Sequence, residues 1–150
     1  RLRFDIQGRD TWVYVANNAL DLADVRIDTS TENLGKSTNN ISLFCRYSDR
    51  VWYEFNVASN GEFWIYRYDA NIQEWRTLWT GGSTLIKMGQ QVNHYGAICE
   101  GSELSLIIND TLVKTIKDTN LKSGLTGISV SSFNVTPIVV EFDAFALSVP

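Results

Sequence analysis

The chain has 150 residues, a formal net charge of -4 at neutral pH and an apolar fraction of 44%, with five Trp, six Tyr and seven Phe against two Pro, two Cys and one His. That length suits one domain, residues 1–150, able to bury roughly two-thirds of its extended surface, and the apolar fraction argues against disorder. No apolar run approaches the ~18 residues of a membrane-spanning helix, no basic block is present to attract nucleic acid, and one His with two Cys cannot supply a four-ligand zinc site from soft ligands alone.

The chain opens Arg1-Leu2-Arg3 without a signal-peptide pattern, and its single Met is Met88. This predicts a trimmed mature protein, or a module cut from a longer secreted or membrane-anchored one. From there the hydrophobic pattern has a period of two almost throughout. Strands are expected at about 2–7, 11–15, 24–30, 41–48, 51–58, 62–69, 75–80, 92–100, 103–109, 111–117, 126–133 and 138–147. Asn17–Asp24 could form one helical turn. Residues 31–40 are the most polar stretch and read as a long surface loop, with Gly81-Gly82-Ser83 as a second. Asn60-Gly61 suits a two-residue type I′ hairpin, because both positions of that turn need positive φ. Gly101-Ser102 and Asn109-Asp110 mark further turns. About twelve short strands with regular turns predict an all-β, antiparallel two-sheet β-sandwich of jelly-roll type, with an up-and-down barrel second. No repeat of 20–50 residues suggests a propeller. The two termini of such a sandwich are expected to pair.

Leu43-Phe44-Cys45-Arg46-Tyr47 leads into Trp52-Tyr53-Glu54-Phe55-Asn56-Val57 and Asn60-Gly61-Glu62-Phe63-Trp64-Ile65. Later come Asn93, Ala97-Ile98-Cys99-Glu100-Gly101, Leu104 to Asn109, Gly124, Gly127-Ile128 and Glu141-Phe142-Asp143-Ala144-Phe145. Together with Asp24-Val25-Arg26-Ile27, these resemble the concanavalin A-like lectin/glucanase jelly rolls, in particular laminin-G-like and 3-keto-disaccharide-hydrolase-like extracellular domains. The resemblance covers roughly residues 24–147 and consists of strand cores and turns. It departs at Asn109-Asp110, where Asn-Gly is usual. It implies a sandwich fold, a secreted, extracellular or periplasmic location, and a module of a larger protein.

Cys45 and Cys99 each lie in a predicted inner strand. With the resemblance, they are expected to form a disulfide; two buried thiols are the alternative. If Val51, Tyr53, Phe55 and Val57 face the core, then Trp52, Glu54 and Asn56 face outward, with Phe44 and Arg46 beside them. On the next strand one face carries Trp64, Tyr66 and Tyr68 and the other Phe63, Ile65 and Arg67, and both are apolar enough to be buried. A face mixing Trp, Tyr, Arg, Glu and Asn suits sugar. Rings stack on the C–H face of a pyranose, and planar polar groups bridge its hydroxyls. Arg46, Trp52, Glu54, Asn56, Trp64 and Tyr66 are therefore the candidate ligand-binding residues. The alternative is that these rings form a second core.

Other acids and the lone His carry less. Glu141-Phe142-Asp143 has the Glu-x-Asp spacing of some glucanases on this superfold, but the acidic residue expected three positions further on is replaced by Ala146. No cofactor is required, although Asp143 could be a structural calcium ligand. His94 has no nucleophile motif to partner it, and Gly81-Gly82-Ser83-Thr84 lacks the features of a phosphate loop. Three glycosylation sequons occur, at Asn40, Asn109 and Asn134. Three functions follow as expectations. The first is a non-catalytic module that binds an oligo- or polysaccharide. The second is a structural or protein-interaction domain docked to a protein partner or neighbouring domain. The third is a glycoside hydrolase or lyase, which requires two carboxylates in one groove.

Overall fold

The computed structural model describes residues 1–36 and 39–150. The described residues form twelve strands and no helix: β1 (Leu2–Ile6), β2 (Trp12–Leu22), β3 (Val25–Asn33), β4 (Asn39–Ser48), β5 (Val51–Ala58), β6 (Glu62–Asp69), β7 (Glu74–Gly82), β8 (Val92–Glu100), β9 (Glu103–Ile108), β10 (Thr111–Lys117), β11 (Gly124–Ser132) and β12 (Ile138–Ser148). They build two six-stranded antiparallel sheets, ordered β1-β12-β3-β8-β9-β10 and β2-β11-β4-β5-β6-β7. Each sheet ends on free edges, so the molecule is a sandwich and not a closed barrel. The chain's first and last strands pair, with Phe4 opposite Val140.

The core lies between the sheets. The alternating inner residues of β4, β5 and β6 (Leu43, Phe55 and Ile65 among them) meet Ile27, Ala97, Leu106 and Ile108 from the other sheet, all buried. Cys45 of β4 and Cys99 of β8 form the expected disulfide between the two sheets, with Cα atoms 6.8 Å apart. Arg67, the polar member of the inner row on β6, pairs with Asp118 at 3.0 Å.

Several local expectations are corrected. Asn17–Asp24 forms no helical turn, because β2 runs on to Leu22. Its ladder with β11 pairs Trp12 through Asn17 and resumes at Leu22 opposite Gly124, and sheet hydrogen bonds override a weak local preference. The 31–40 stretch is not all loop. β3 continues to Asn33 because Thr31 and Glu32 pair with Asn93 and Val92 of β8, while Ser37 and Thr38 lie outside the described residues. Gly81 and Gly82 belong to β7, where a Cβ at Gly81 would meet the Phe63 ring at 3.1 Å. Asn60-Gly61 is part of a three-residue loop: the Gly61 N–H donates to the Ala58 carbonyl at 3.2 Å, and of the two residues only Gly61 has positive φ. The two-residue turns with positive φ at both positions are Asp49-Arg50 and Asn109-Asp110.

Candidate functional site: the outer face of the second sheet

The register of the β2-β11-β4-β5-β6-β7 sheet arranges its outward side chains in rows across the strands. One row runs Ala16, Gly127, Phe44, Glu54, Tyr66, Thr77. The next runs Tyr14, Ser129, Ser42, Asn56, Trp64, Thr80. On the other side, Trp52 lies beside Tyr68 and Tyr68 beside Trp75. Gly127 is small by necessity, since a Cβ there would come within 2.2 Å of the Phe44 ring.

The rings of this face form a connected set. Tyr14 and Trp52 meet edge to face at 5.3 Å, Trp52 and Tyr68 at 4.9 Å, and Tyr66 and Trp75 at 5.0 Å. Tyr68 and Trp75 lie 4.0 Å apart. Trp64 and Tyr66 are nearly parallel, with planes 7° apart and centroids 6.5 Å apart. Such contacts hold each ring in one orientation before any ligand arrives. Openness differs along the face. Trp64, Tyr66 and Tyr68 are half-buried and Trp75 is 40% exposed, whereas Phe44, Trp52, Glu54 and Asn56 are buried.

Five of the six residues expected at a site on this face are thus among its buried or half-buried centre. Trp52, Glu54, Asn56 and Trp64 are contiguous, and Tyr66 adjoins them opposite Glu54. The sixth, Arg46, is not on the face. A bulge between Cys45 and Ser48 breaks simple alternation, and Arg46 takes a positive φ of 54°. Its guanidinium, 2% exposed, donates to the carbonyls of Ala23 and Leu121, both at 2.9 Å. The same bulge brings Tyr47 against the Trp52 ring at 5.4 Å. Arg46 therefore ties two loops together, and Tyr47 takes its place outside.

Glu54 is the electrostatic centre. Trp52 Nε1 donates to Glu54 Oε1 and Asn56 Nδ2 to Glu54 Oε2, each at 3.3 Å. Asn56 also donates to Ser42 Oγ at 2.9 Å and accepts from Asn40 Nδ2 at 2.7 Å. Burial pushes the Glu54 carboxyl above its ordinary value, outweighing the donors around it. Burial also raises the Tyr14 hydroxyl. No second carboxylate occupies a register position next to Glu54.

At the Trp52 end lies a cavity of about 390 Å³ walled by Tyr14, Phe44, Tyr47 and Trp52, with exposed Asn18 and Arg50 also lining it. Tyr14, Tyr47, Trp75 and Arg50 were not singled out from sequence. Alternation within Trp12–Val15 does set Tyr14 opposite Val13, but it does not say which strand lies beside it. A similar cavity, about 380 Å³, opens at the sandwich edge between β1–β12 and β2–β11. Its lining is mainly apolar, and its two charged groups, Arg1 and Asp143, are bound to each other at 3.0 Å. Glu141 likewise pairs with Arg1 and Arg3. Among the described residues no three His, Cys, Asp or Glu side chains gather as a metal-binding group. His94 sits on the other sheet, in β8.

This architecture is that of the concanavalin A-like jelly rolls. No family model and no curated protein sequence matches the chain. Solved structures share its fold. A carbohydrate-binding module, CBM66 from Bacillus subtilis, superposes with a TM-score of 0.72 at 13% identity over 97% of this chain and 94% of its own. Xenopus laevis galectin-Ib does so with a TM-score of 0.66 at 11% identity over 91% and 100%. A Bacillus licheniformis β-glucanase gives 0.62 at 11% identity over 85% and 67%.

Proposed function

We propose that this protein is a non-catalytic carbohydrate-binding module of a secreted, extracellular or periplasmic protein. The observation that carries the reading is the open part of the aromatic face: Trp64, Tyr66, Tyr68 and Trp75, held by mutual ring contacts beside amide and hydroxyl groups. Rings of this kind match the apolar face of a sugar, and their fixed orientation lowers the entropy lost on binding. Phe44, Trp52, Glu54 and Asn56 act from beneath as the support of that surface, so direct contact moves outward from the residues first expected to make it. The lone Glu54 supports a binding function over hydrolysis, which uses a pair of carboxylates. The likeness to a carbohydrate-binding module and a galectin adds fold-level support, and the disulfide supports an oxidising compartment.

Affinity electrophoresis against a panel of soluble polysaccharides, followed by calorimetry on the retarding one, tests this. Trp75→Ala and Tyr66→Ala are expected to weaken binding by about tenfold or more, equivalent to about 1.4 kcal/mol. His94→Ala, on the other sheet, leaves binding unchanged. Absence of retardation by every glycan, or wild-type affinity in both aromatic variants, refutes the reading.

A further inference from the structure

The buried acids of this molecule are treated in two ways. Asp118 has a cation, Arg67 at 3.0 Å, with the Tyr53 hydroxyl and Asn120 as further donors. Glu54, 1% exposed, has only neutral donors. On its own strand it lies between Trp52 and Asn56, and across the sheet between Phe44 of β4 and Tyr66 of β6. The titratable groups that face this cluster are the hydroxyls of Tyr14 from β2, Tyr47 from β4, and Tyr66 and Tyr68 from β6; the one cation nearby, Arg50 of the β4–β5 turn, is exposed and lines the cavity at the Trp52 end without pairing with Glu54. β11 contributes only Ser129, whose Oγ is buried and has no hydrogen-bond partner. A charged carboxylate walled by Phe44, Trp52 and Tyr66 loses its hydration without gaining a counter-charge, a cost that the protonated form does not bear.

The position matters because each carboxyl oxygen holds a different element of the face. Oε1 fixes the Trp52 indole, which touches Tyr14, Tyr47 and Tyr68. Oε2 fixes the Asn56 amide, which continues to Ser42 and Asn40. A shift of this one group therefore reaches both the aromatic and the polar half.

We propose that Glu54 is the positioning residue of the aromatic face: its buried carboxyl is protonated and holds Trp52 and Asn56 in place, and ionisation, which leaves an unpaired charge beneath the rings, draws the group toward water, loosens the face and weakens glycan binding. The binding part rests on the carbohydrate-binding function proposed above. The proton and its effect on Trp52 can be read without any ligand.

Infrared spectra at neutral pH are expected to show a protonated-carboxyl C=O band that Glu54→Gln removes; absence of the band from wild type overturns the proposal. Titrating wild type upward in pH should remove this band and change the near-UV tryptophan signal with one midpoint. Different midpoints, or a band that persists until the protein unfolds, overturn the coupling, and this arm needs no variant to fold. On the glycan that retards wild type, Glu54→Gln, which keeps one acceptor oxygen but sets an NH2 against the other donor, should bind more weakly than wild type and stay flat with pH. Glu54→Asp, one methylene too short to reach both donors, should bind about tenfold or more weakly. Equal binding by Glu54→Asp, or the same pH profile in Glu54→Gln as in wild type, overturns the positioning role. If no glycan binds wild type, the proposed function fails while the spectra still decide the state of Glu54.

Discussion

Removing the disulfide by Cys45→Ala/Cys99→Ala is expected to destabilise the fold by about 4 kcal/mol. The two residues are 54 apart in sequence, and the chain-entropy relation for a closed loop of that size gives roughly 14 cal/mol/K, or about 4 kcal/mol at room temperature. Both cysteines are fully buried within the core, so loss of packing around the sulfurs adds to this figure. Against a total stability of ~5–15 kcal/mol this is a large fraction. For a chain of this length it corresponds to a fall in Tm of roughly 8–16 °C. Urea unfolding and calorimetry without reductant measure it. The urea slope should also rise, because the unfolded chain freed of the cross-link exposes more surface. Glycan affinity should be unchanged, since Cys45 points inward, away from the aromatic face. A loss below about 1 kcal/mol, or an unchanged urea slope, refutes the unfolded-state argument.

Arg46→Met should cost about 2–4 kcal/mol in urea unfolding, because it removes the charged, buried donor that the carbonyls of Ala23 and Leu121 share; a change under 1 kcal/mol would show that those loops hold without it. For Asp118, burial acts to raise the carboxyl, but donation from Tyr53 and Asn120, together with the Arg67 charge, brings it below its ordinary value. An acid lowered in the folded state contributes stability above its unfolded value of about 3.9, and that contribution disappears as pH falls through the folded value. The acid limb of the wild-type urea midpoint between pH 2 and 6 should therefore be steeper than that of Asp118→Asn, and parallel limbs contradict this.

The strand pattern was legible because a period of two survives wherever a sheet has one face in the core. That is why β5 and β6 show their inner and outer residues directly in the order Val51 to Asp69. Local preference fails to decide the structure where hydrogen bonding from distant strands overrides it. Asn17–Asp24 has room for one helical turn in isolation, yet β2 stays extended to Leu22 because β11 pairs with it at Asn17 and again at Leu22. Arg46 was placed outside by strict alternation, and the bulge that turns it inward contains no glycine to announce it.

The amino-acid order by itself determined that the chain is built of strands and that Trp52, Glu54 and Asn56 share one side of theirs, because side-chain direction along a strand is a local property. With the resemblance to known jelly rolls, it also pointed to the Cys45–Cys99 bridge. Only the tertiary structure decided what those side chains meet. Register across five ladders set Phe44 and Tyr66 on either side of Glu54, brought Tyr14 and Trp75 into the same aromatic surface, and left Glu54 without a cation. Those neighbours come from strands distant in the chain, and a two-residue period specifies a side but not a partner.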